Sequence, residues 1–186
     1  MKRLILSMFF VIYFISYSFA EMPIKFFKGE INIKLEKNYV HVQGLYFFEN
    51  KSNFEIDVIM VYQFPINSNH LYPEKINVLD PINHIDLTKK KNGIEWVLHF
   101  EPNSVETVFV EYKQKINNKS AVYILDKLWK EKINKLQFII EAPLEFKELS
   151  ISMEPDSVRT EEDKQFYYIT RRYFLPKEDL KISWQW

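Results

Sequence analysis

Apolar residues recur at every second position along most of the chain, and this period of two constrains the fold more than any other feature. In the segment 54–64, every even position is apolar or aromatic, which is the pattern of a strand with one buried face. The odd positions also turn apolar at Ile59 and Val61, so we expect a central strand that is covered on both sides. Pro65 ends this strand because proline has no amide hydrogen to donate.

A second alternating run lies directly before this strand. In the segment 40–48, every even position except Gly44 is apolar or aromatic, and this again indicates a strand. The residues that connect the two runs, Asn-Lys-Ser-Asn at 50–53, are typical of turns. We therefore predict that the two strands form a hairpin.

Further strands are predicted along the rest of the chain. Their segments are 31–35, 76–79, 85–89, 94–100, 105–116, 136–142, 149–153, 166–173 and 180–186. Their spacing is close to that of sandwiches and barrels, and no internal repeat or linker divides the chain. We predict that residues 21–186 form a single all-β domain, an antiparallel two-sheet β-sandwich of immunoglobulin-like character.

The segment 123–133 allows two interpretations. Leu125, Leu128, Trp129 and Ile133 fall near helical spacing, and the segment has neither glycine nor proline. A short strand followed by an ordered loop or one helical turn fits equally well, and we favour it. The fold then contains at most one short helix.

The first twenty residues have the pattern of a secretory signal peptide. Lys2 and Arg3 supply a positive start, residues 4–19 are uncharged and mostly apolar, and Ser18 and Ala20 are small residues before the cleavage point. We predict cleavage after Ala20 and a secreted or periplasmic protein. The alternative is a leader that is kept as an anchor, which is the one way in which we expect this chain to contact a membrane.

The composition excludes several classes of function. The chain has 25 Lys and Arg residues against 25 Asp and Glu residues; loss of Lys2 and Arg3 leaves 23 against 25, a net charge of −2. This balance argues against nucleic acid as a partner. The absence of cysteine excludes a disulfide scaffold and a thiol nucleophile. Only three glycines are present, which argues against a phosphate-binding loop, and we expect no cofactor.

Asn92 and Gly93 predict a tight hairpin. A two-residue type I′ turn requires positive φ at both positions, which asparagine and glycine tolerate. This loop would place Lys90 opposite Glu95 and Asp86 opposite His99. The same register would place His84 opposite Glu101, and a structure in which Asp86 does not face His99 contradicts it.

This register gathers His84, Asp86, His99 and Glu101 on one face, where imidazole and carboxylate could bind a metal such as Zn²⁺. No tight ligand motif accompanies these residues. We therefore favour a solvated face with paired charges.

No catalytic motif stands out. The chain lacks Gly-x-Ser-x-Gly, His41 and His70 are isolated, and the acidic run 161–163 is expected in a solvated loop.

Among the aromatic residues, Trp184 and Trp186 share a face with Leu180 and Ile182 and are expected in the core.

Two other aromatic residues are better candidates for an exposed ligand-binding surface. Tyr72 lies beside Pro73, and Trp129 lies among charged residues. Exposed aromatic rings of this kind can stack against sugars.

Two stretches resemble exported bacterial β-sandwich domains of unassigned function. The first resembles their opening of a strand, an Asn-x-Ser turn, a strand and Phe-Pro; the second resembles a later run of strand, Tyr, Trp and strand. The residues that carry this are 42–52 with 61–65, and 110–114 with Tyr123, Trp129 and Phe138. The resemblance implies export and a sandwich fold, and no activity.

The sequence therefore predicts an exported binding or assembly module without catalytic activity, with an envelope protein or polysaccharide as its partner. The alternative is a carbohydrate-binding module that uses Tyr72 and Trp129. A third interpretation is an envelope hydrolase.

Overall fold

The computed structural model describes residues 23–79, 85–125 and 131–186. The predicted leader and the middle of the segment 123–133 lie outside them. Thirteen β-strands form within the described residues, and none of these residues is helical. No helix in the described ranges therefore has the length and hydropathy needed to span a bilayer.

The strands range from three to twelve residues in length. In chain order they are β1 (Ile24–Leu35), β2 (Tyr39–Asn50), β3 (Ile56–Gln63), β4 (Lys75–Leu79), β5 (Thr88–Lys90), β6 (Gly93–Phe100), β7 (Val105–Lys115), β8 (Ser120–Tyr123), β9 (Ile133–Pro143), β10 (Lys147–Ile151), β11 (Ser157–Glu161), β12 (Lys164–Phe174) and β13 (Leu180–Gln185).

These strands form one large sheet and two small ones. The seven-stranded sheet has the order β11-β12-β9-β1-β2-β7-β4, and the three-stranded sheets have the orders β10-β13-β8 and β3-β6-β5. Every neighbouring pair is antiparallel except β1 and β9, which run parallel. The all-β, β-sandwich-like class predicted from the sequence is confirmed, with a large sheet that is mixed.

The core lies between the large sheet and the two small sheets. Phe48 of β2 packs edge-on against Phe100 of β6, with ring centres 6.5 Å apart. Tyr123 of β8 meets Phe138 of β9 at 5.5 Å in the same geometry. Both small sheets therefore cover the same face of the large one. Each large apolar side chain buried there stabilises the fold by about 1.5–3 kcal/mol.

The predicted hairpin between 40–48 and 54–64 is wrong, because β2 and β3 belong to different sheets. Asn50, which is 0% exposed, holds the chain where it crosses between the layers. Its Nδ2 donates to the carbonyls of Phe54 and Glu101, both at 2.9 Å. Its Oδ1 accepts from the amide and hydroxyl of Ser52 at 2.9 and 2.7 Å. A turn-rich sequence does not distinguish a hairpin from such a crossover.

The prediction that residues 54–64 form a central strand covered on both sides is also wrong. β3 lies at the edge of its three-stranded sheet, next to β6. Ile59 and Val61 face outward and are 65% and 54% exposed, and Val97, opposite Ile59 on β6, is 59% exposed. Apolar residues on a second face therefore do not establish a second covering layer.

The predicted register around Asn92 is wrong by two residues. Lys90 faces Gly93 and Thr88 faces Glu95, so the loop consists of Lys91 and Asn92. Asn92 is not among the described residues with positive φ, and the turn is therefore not type I′. β5 covers Thr88–Lys90 alone, so Asp86 precedes the strand and does not face His99.

Gly93 serves the close approach of β3 and β6. A Cβ at this position would lie 2.2 Å from the carbonyl oxygen of Tyr62, which is backbone and has little freedom to move. A glycine is therefore required at position 93, but by the close packing of β6 against β3 and not by a turn.

We expect Gly93→Ala to lower the free energy of unfolding by about 1–3 kcal/mol, because the added methyl group forces the two strands apart. Urea denaturation measures this change. Asn92→Ala, a matched loop variant without positive φ, should change the stability by less than about 0.5 kcal/mol. Equal effects of the two variants would contradict the register described above.

Candidate functional site

A concave depression of about 370 Å³ lies on the outer face of the seven-stranded sheet. We call it the outer-sheet groove. Strand pairing places its side chains in two adjacent rows that cross β12, β9, β1, β2 and β7. The first row consists of Tyr168, Ile139, Asn32 and Gln43, and the second of Thr170, Gln137, Glu30, Leu45 and Phe109.

The period of two in each strand produces this groove. In β1, Ile31 and Ile33 are 1% and 2% exposed and point into the core, so Glu30 and Asn32 face the opposite side. The neighbouring strands repeat the pattern in register. Because the small sheets cover the inner face, the outward rows remain accessible to a ligand.

The polar groups of the groove are anchored at one end by Glu111 of β7. Its carboxylate accepts a hydrogen bond from Gln43 Nε2 at 2.7 Å and contacts His41 Nε2 at 2.9 Å. The hydrogen bond from Gln43, followed by that from His41, lowers the pKa of Glu111 below its usual value. Glu111 is therefore ionised at neutral pH and fixes the orientation of the Gln43 amide beside the groove.

At the other end of the groove the polar groups are less constrained. Gln137 Nε2 reaches Thr170 Oγ1 at 3.4 Å, which is long for a hydrogen bond. The amide of Gln137 can therefore exchange this contact for one with a ligand at little cost.

Aromatic rings lie next to these polar groups. Tyr168 and Phe109 are half-buried in the floor of the groove, and the guanidinium carbon of Arg159 lies 5.5 Å from the ring centre of Tyr168. Amides and carboxylates exchange hydrogen bonds with hydroxyl groups, while rings pack against C–H faces. The groove therefore matches a ligand that is both polyhydroxylated and partly apolar.

Tyr72, a predicted ligand-binding residue, lies away from the groove and supports the β5–β6 hairpin. Its hydroxyl donates to the carbonyl of Gly93 at 2.8 Å. Its ring packs edge-on against Phe64 at 5.6 Å, and Lys89 Nζ lies 4.1 Å from the ring centre. Trp129 lies outside the described residues, so its predicted role stays a prediction.

The predicted metal set is only partly assembled. His84 lies outside the described residues, and Asp86 does not face His99. His99 instead pairs with Asp57 on β3, at 2.8 Å, and contacts Glu101 at 3.4 Å. One ligand atom each from Glu55, His99 and Glu101 lie within 4.8 Å of one another.

The side chains of Asp57, His99 and Glu101 are largely exposed. Their arrangement resembles the solvated, charge-paired face that the sequence favoured over a metal site. The hydrogen bond to Asp57, together with Glu101, raises the pKa of His99 above its usual value. Metal coordination requires neutral imidazole, so this proton competes with a metal. The contacts therefore support ion pairing on the sheet surface over metal binding.

We expect Asp57→Asn to lower the pKa of His99, because the carboxylate that contributes most to stabilising the protonated imidazole is lost. The pH titration of the His99 ring signals by NMR measures this change. In the unmodified protein, the raised pKa stabilises the folded state below the unfolded pKa, and this contribution disappears as the pH rises through the folded pKa. Glu101→Gln should have a smaller effect, and an unchanged pKa in Asp57→Asn would contradict the pairing.

Sequence reasoning missed the outer-sheet groove. The outward residues of each strand could be identified from the alternation, but the strand order that brings Tyr168 and Phe109 onto one concave surface could not. The parallel pairing of β1 with β9 joins residues more than one hundred positions apart, and no local pattern encodes it.

No protein-family model matches the chain, and no curated protein matches its sequence. Solved structures do match its fold. A protein from Legionella pneumophila, proposed to bind nutrients, is 15% identical with a TM-score of 0.67; the match covers 86% of this chain and 66% of that one. An M1 zinc metallopeptidase from Deinococcus radiodurans is 5% identical with a TM-score of 0.57, and the match covers 88% of this chain.

These matches cover only part of the other proteins. The chain spans 66% of the Legionella protein and 43% of the metallopeptidase. At these identities the similarity establishes the β-sandwich-like fold that the three chains share, and it assigns no activity.

Proposed function

We propose that this chain is an exported binding module without catalytic activity, and that the outer-sheet groove is its ligand site. The observation that carries the proposal is the concave sheet face on which amide, carboxylate and aromatic side chains lie in adjacent rows. Concave sites with a few oriented polar groups among apolar ones are the usual form of small-ligand sites. The fold that it shares with a protein proposed to bind nutrients is consistent with this role.

Export is the part of the proposal that rests on the leader, together with the resemblance to exported sandwich domains. The expected mature chain begins at Glu21, directly after Ala20. N-terminal sequencing of the protein recovered outside the cytoplasm tests this. A chain that retains Met1 would contradict cleavage and would favour an anchor.

The contacts of the histidines support a non-catalytic role. His41 contacts the carboxylate of Glu111, and His99 contacts those of Asp57 and Glu101. His70 is 3% exposed and reaches the side chain of Asn67 and the carbonyl of Ser120. Within the described residues, none of these contacts joins a histidine to a hydroxyl nucleophile, which acyl transfer would require.

The ligand class that best fits the outer-sheet groove is carbohydrate. Asn32, Gln43 and Gln137 offer amide donors and acceptors, and Tyr168 and Phe109 offer ring faces. A sugar presents hydroxyl groups at its edge and C–H groups on its faces, so it can use both rows at once. We therefore propose the outer-sheet groove as the carbohydrate-binding surface, in place of Tyr72 and Trp129.

A glycan array probed with residues 21–186 tests the proposal. We expect saturable binding that weakens roughly tenfold in Tyr168→Ala, because loss of ring stacking and apolar contact costs on the order of 1.4 kcal/mol. Phe166→Ala is the matched control, since Phe166 faces the same side of β12 two residues away and does not line the groove. Absence of glycan binding, or equal losses in both variants, would contradict the carbohydrate assignment. Capture of an envelope protein through the same residues would keep the binding role and replace the ligand class.

A further inference from the structure

A second, smaller cavity lies inside the sandwich, where the covering layer is split. The edge of β3 in one small sheet and the edge of β8 in the other leave a space of about 100 Å³ above the large sheet. We call it the inter-sheet cavity. Its walls are mainly apolar and aromatic, with Phe48, Val110 and Leu136 from the large sheet and Met60 and Trp96 from β3 and β6.

Three tyrosine hydroxyls join the two sides of the split. Tyr46 of β2 hydrogen-bonds to Tyr62 of β3 at 3.0 Å and to Tyr123 of β8 at 2.7 Å. Gly44 permits this arrangement, because a Cβ there would lie 2.3 Å from the Tyr46 hydroxyl oxygen. Burial raises the pKa of Tyr46 and of Tyr62 well above the usual value, so these hydroxyls keep their protons.

Among the described residues of its wall, the inter-sheet cavity has one hydrogen-bond donor without a partner. Trp96 is 4% exposed, and its Nε1–H has no hydrogen-bond partner within the described part of the chain. The tyrosine hydroxyls satisfy one another, since the Tyr62 hydroxyl also hydrogen-bonds with those of Tyr112 and Tyr123. An unpartnered buried donor is rare in folded proteins and calls for an explanation. Here the unpartnered group is a donor, so a ligand that satisfies it must supply an acceptor.

The size and lining of the cavity define the rest of the ligand. An apolar cavity of ~150 Å³ holds benzene, and the present volume of about 100 Å³ is smaller, so the ligand must be smaller than benzene. A charged ligand would lose its hydration among these apolar walls without a compensating charge. Val61 and Gln63, which are exposed and also line the cavity, place its opening beside β3.

We propose that the inter-sheet cavity is a second binding site, for a compact, uncharged and mainly apolar molecule that carries one hydrogen-bond acceptor, which the Trp96 indole N–H binds. This site is separate from the outer-sheet groove, since the two lie on opposite faces of the large sheet. A small ketone on a hydrocarbon ring has the required chemistry.

Cyclobutanone and methylcyclobutane are suitable probes, because both have fewer heavy atoms than benzene, their sizes are similar, and only the first has an acceptor oxygen. With ¹⁵N-labelled protein, cyclobutanone should shift the Trp96 Nε1–H signal downfield in a saturable manner. Trp184 is an internal control, since its Nε1–H is also buried without a partner within the described residues but does not line the cavity. A Trp96 signal that does not move, or that moves in parallel with that of Trp184, would overturn the proposal.

Trp96→Phe removes the donor and keeps an aromatic ring. We expect this variant to bind cyclobutanone about tenfold more weakly and methylcyclobutane as before, with glycan binding at the outer-sheet groove unchanged. Equal affinity of both proteins for cyclobutanone would contradict the role of the indole N–H. If the variant does not fold, the titration of the unmodified protein still decides the question.

Discussion

Asn50→Ala is expected to lower the free energy of unfolding by about 3 kcal/mol, because four hydrogen bonds to a fully buried amide disappear together. The carbonyls of Phe54 and Glu101 each lose the Asn50 donor and keep a second one, from the Ser52 hydroxyl and the Ser104 amide respectively. A typical hydrogen bond contributes about 1 kcal/mol net, so the loss of four bonds accounts for a cost of this size. Some of the loss is recovered because Phe54 and Glu101 are themselves exposed and water can reach them.

Chemical denaturation of Asn50→Ala and of Asn53→Ala measures this effect against a matched control. Asn53 is an exposed asparagine in the same crossover, and its replacement should change the stability by less than about 0.5 kcal/mol. If both variants lose the same stability, the crossover is held by something other than the Asn50 amide.

Phe138→Ala is expected to destabilise the protein by about 3–5 kcal/mol, through lost apolar burial and the cavity that remains. Phe138 is 1% exposed at the centre of β9, and its ring meets Tyr123 of β8 at 5.5 Å. The side chain therefore connects the large sheet to one of the small sheets. Loss of this contact weakens the attachment of the layer as well as the local packing.

Ile139→Ala provides the control. Ile139 directly follows Phe138, points to the other face of the sheet and is 37% exposed. Its cost should stay near or below about 1 kcal/mol, since only part of the side chain leaves water on folding. Thermal or urea unfolding of both variants compares them directly. A larger loss in Ile139→Ala than in Phe138→Ala would mean that the faces of β9 have been assigned the wrong way round.

The alternation of apolar residues predicted the fold class because it is a local property of each strand. The segments 94–100 and 136–142, and all but the last residue of 105–116, lie in strands whose buried and exposed faces follow the expected period. In the last strand, Trp184 is 3% exposed as expected, whereas Trp186 is 41% exposed because it follows the end of β13. Trp186 packs edge-on against Phe146 instead of entering the core.

Strand pairing could not be predicted because it depends on contacts between distant segments. Residues 50–53 have the composition of a hairpin turn. In the structure the chain instead crosses there from the large sheet to a small one, and the buried side-chain amide of Asn50 holds the crossing in place. β11 (Ser157–Glu161) was missed for another reason, since all of its residues are exposed and no burial pattern marks it. Glu162 adopts a φ of 53° in the turn that follows, so part of the acidic run 161–163 forms a hairpin.

The candidate site shows the same division between local and distant information. The sequence suggested aromatic residues as ligand contacts, and its choice of Tyr72 rested on predicted exposure. In the structure the Tyr72 hydroxyl donates a hydrogen bond to the Gly93 carbonyl, and these two residues are 21 positions apart in the sequence. Tyr168 and Phe109 were not singled out, because only the order of strands β12 to β7 shows that they share one groove.

Mapping of ligand-induced NMR shifts tests the central claim most directly. Residues 21–186, labelled with ¹⁵N, are titrated with the oligosaccharide that the array shows to bind most strongly. The account predicts shifts concentrated on Asn32, Gln43, Gln137 and Tyr168, which face the outer-sheet groove on four adjacent strands. Shifts confined to the loops, or to the exposed side of the β3–β6 sheet, would contradict it.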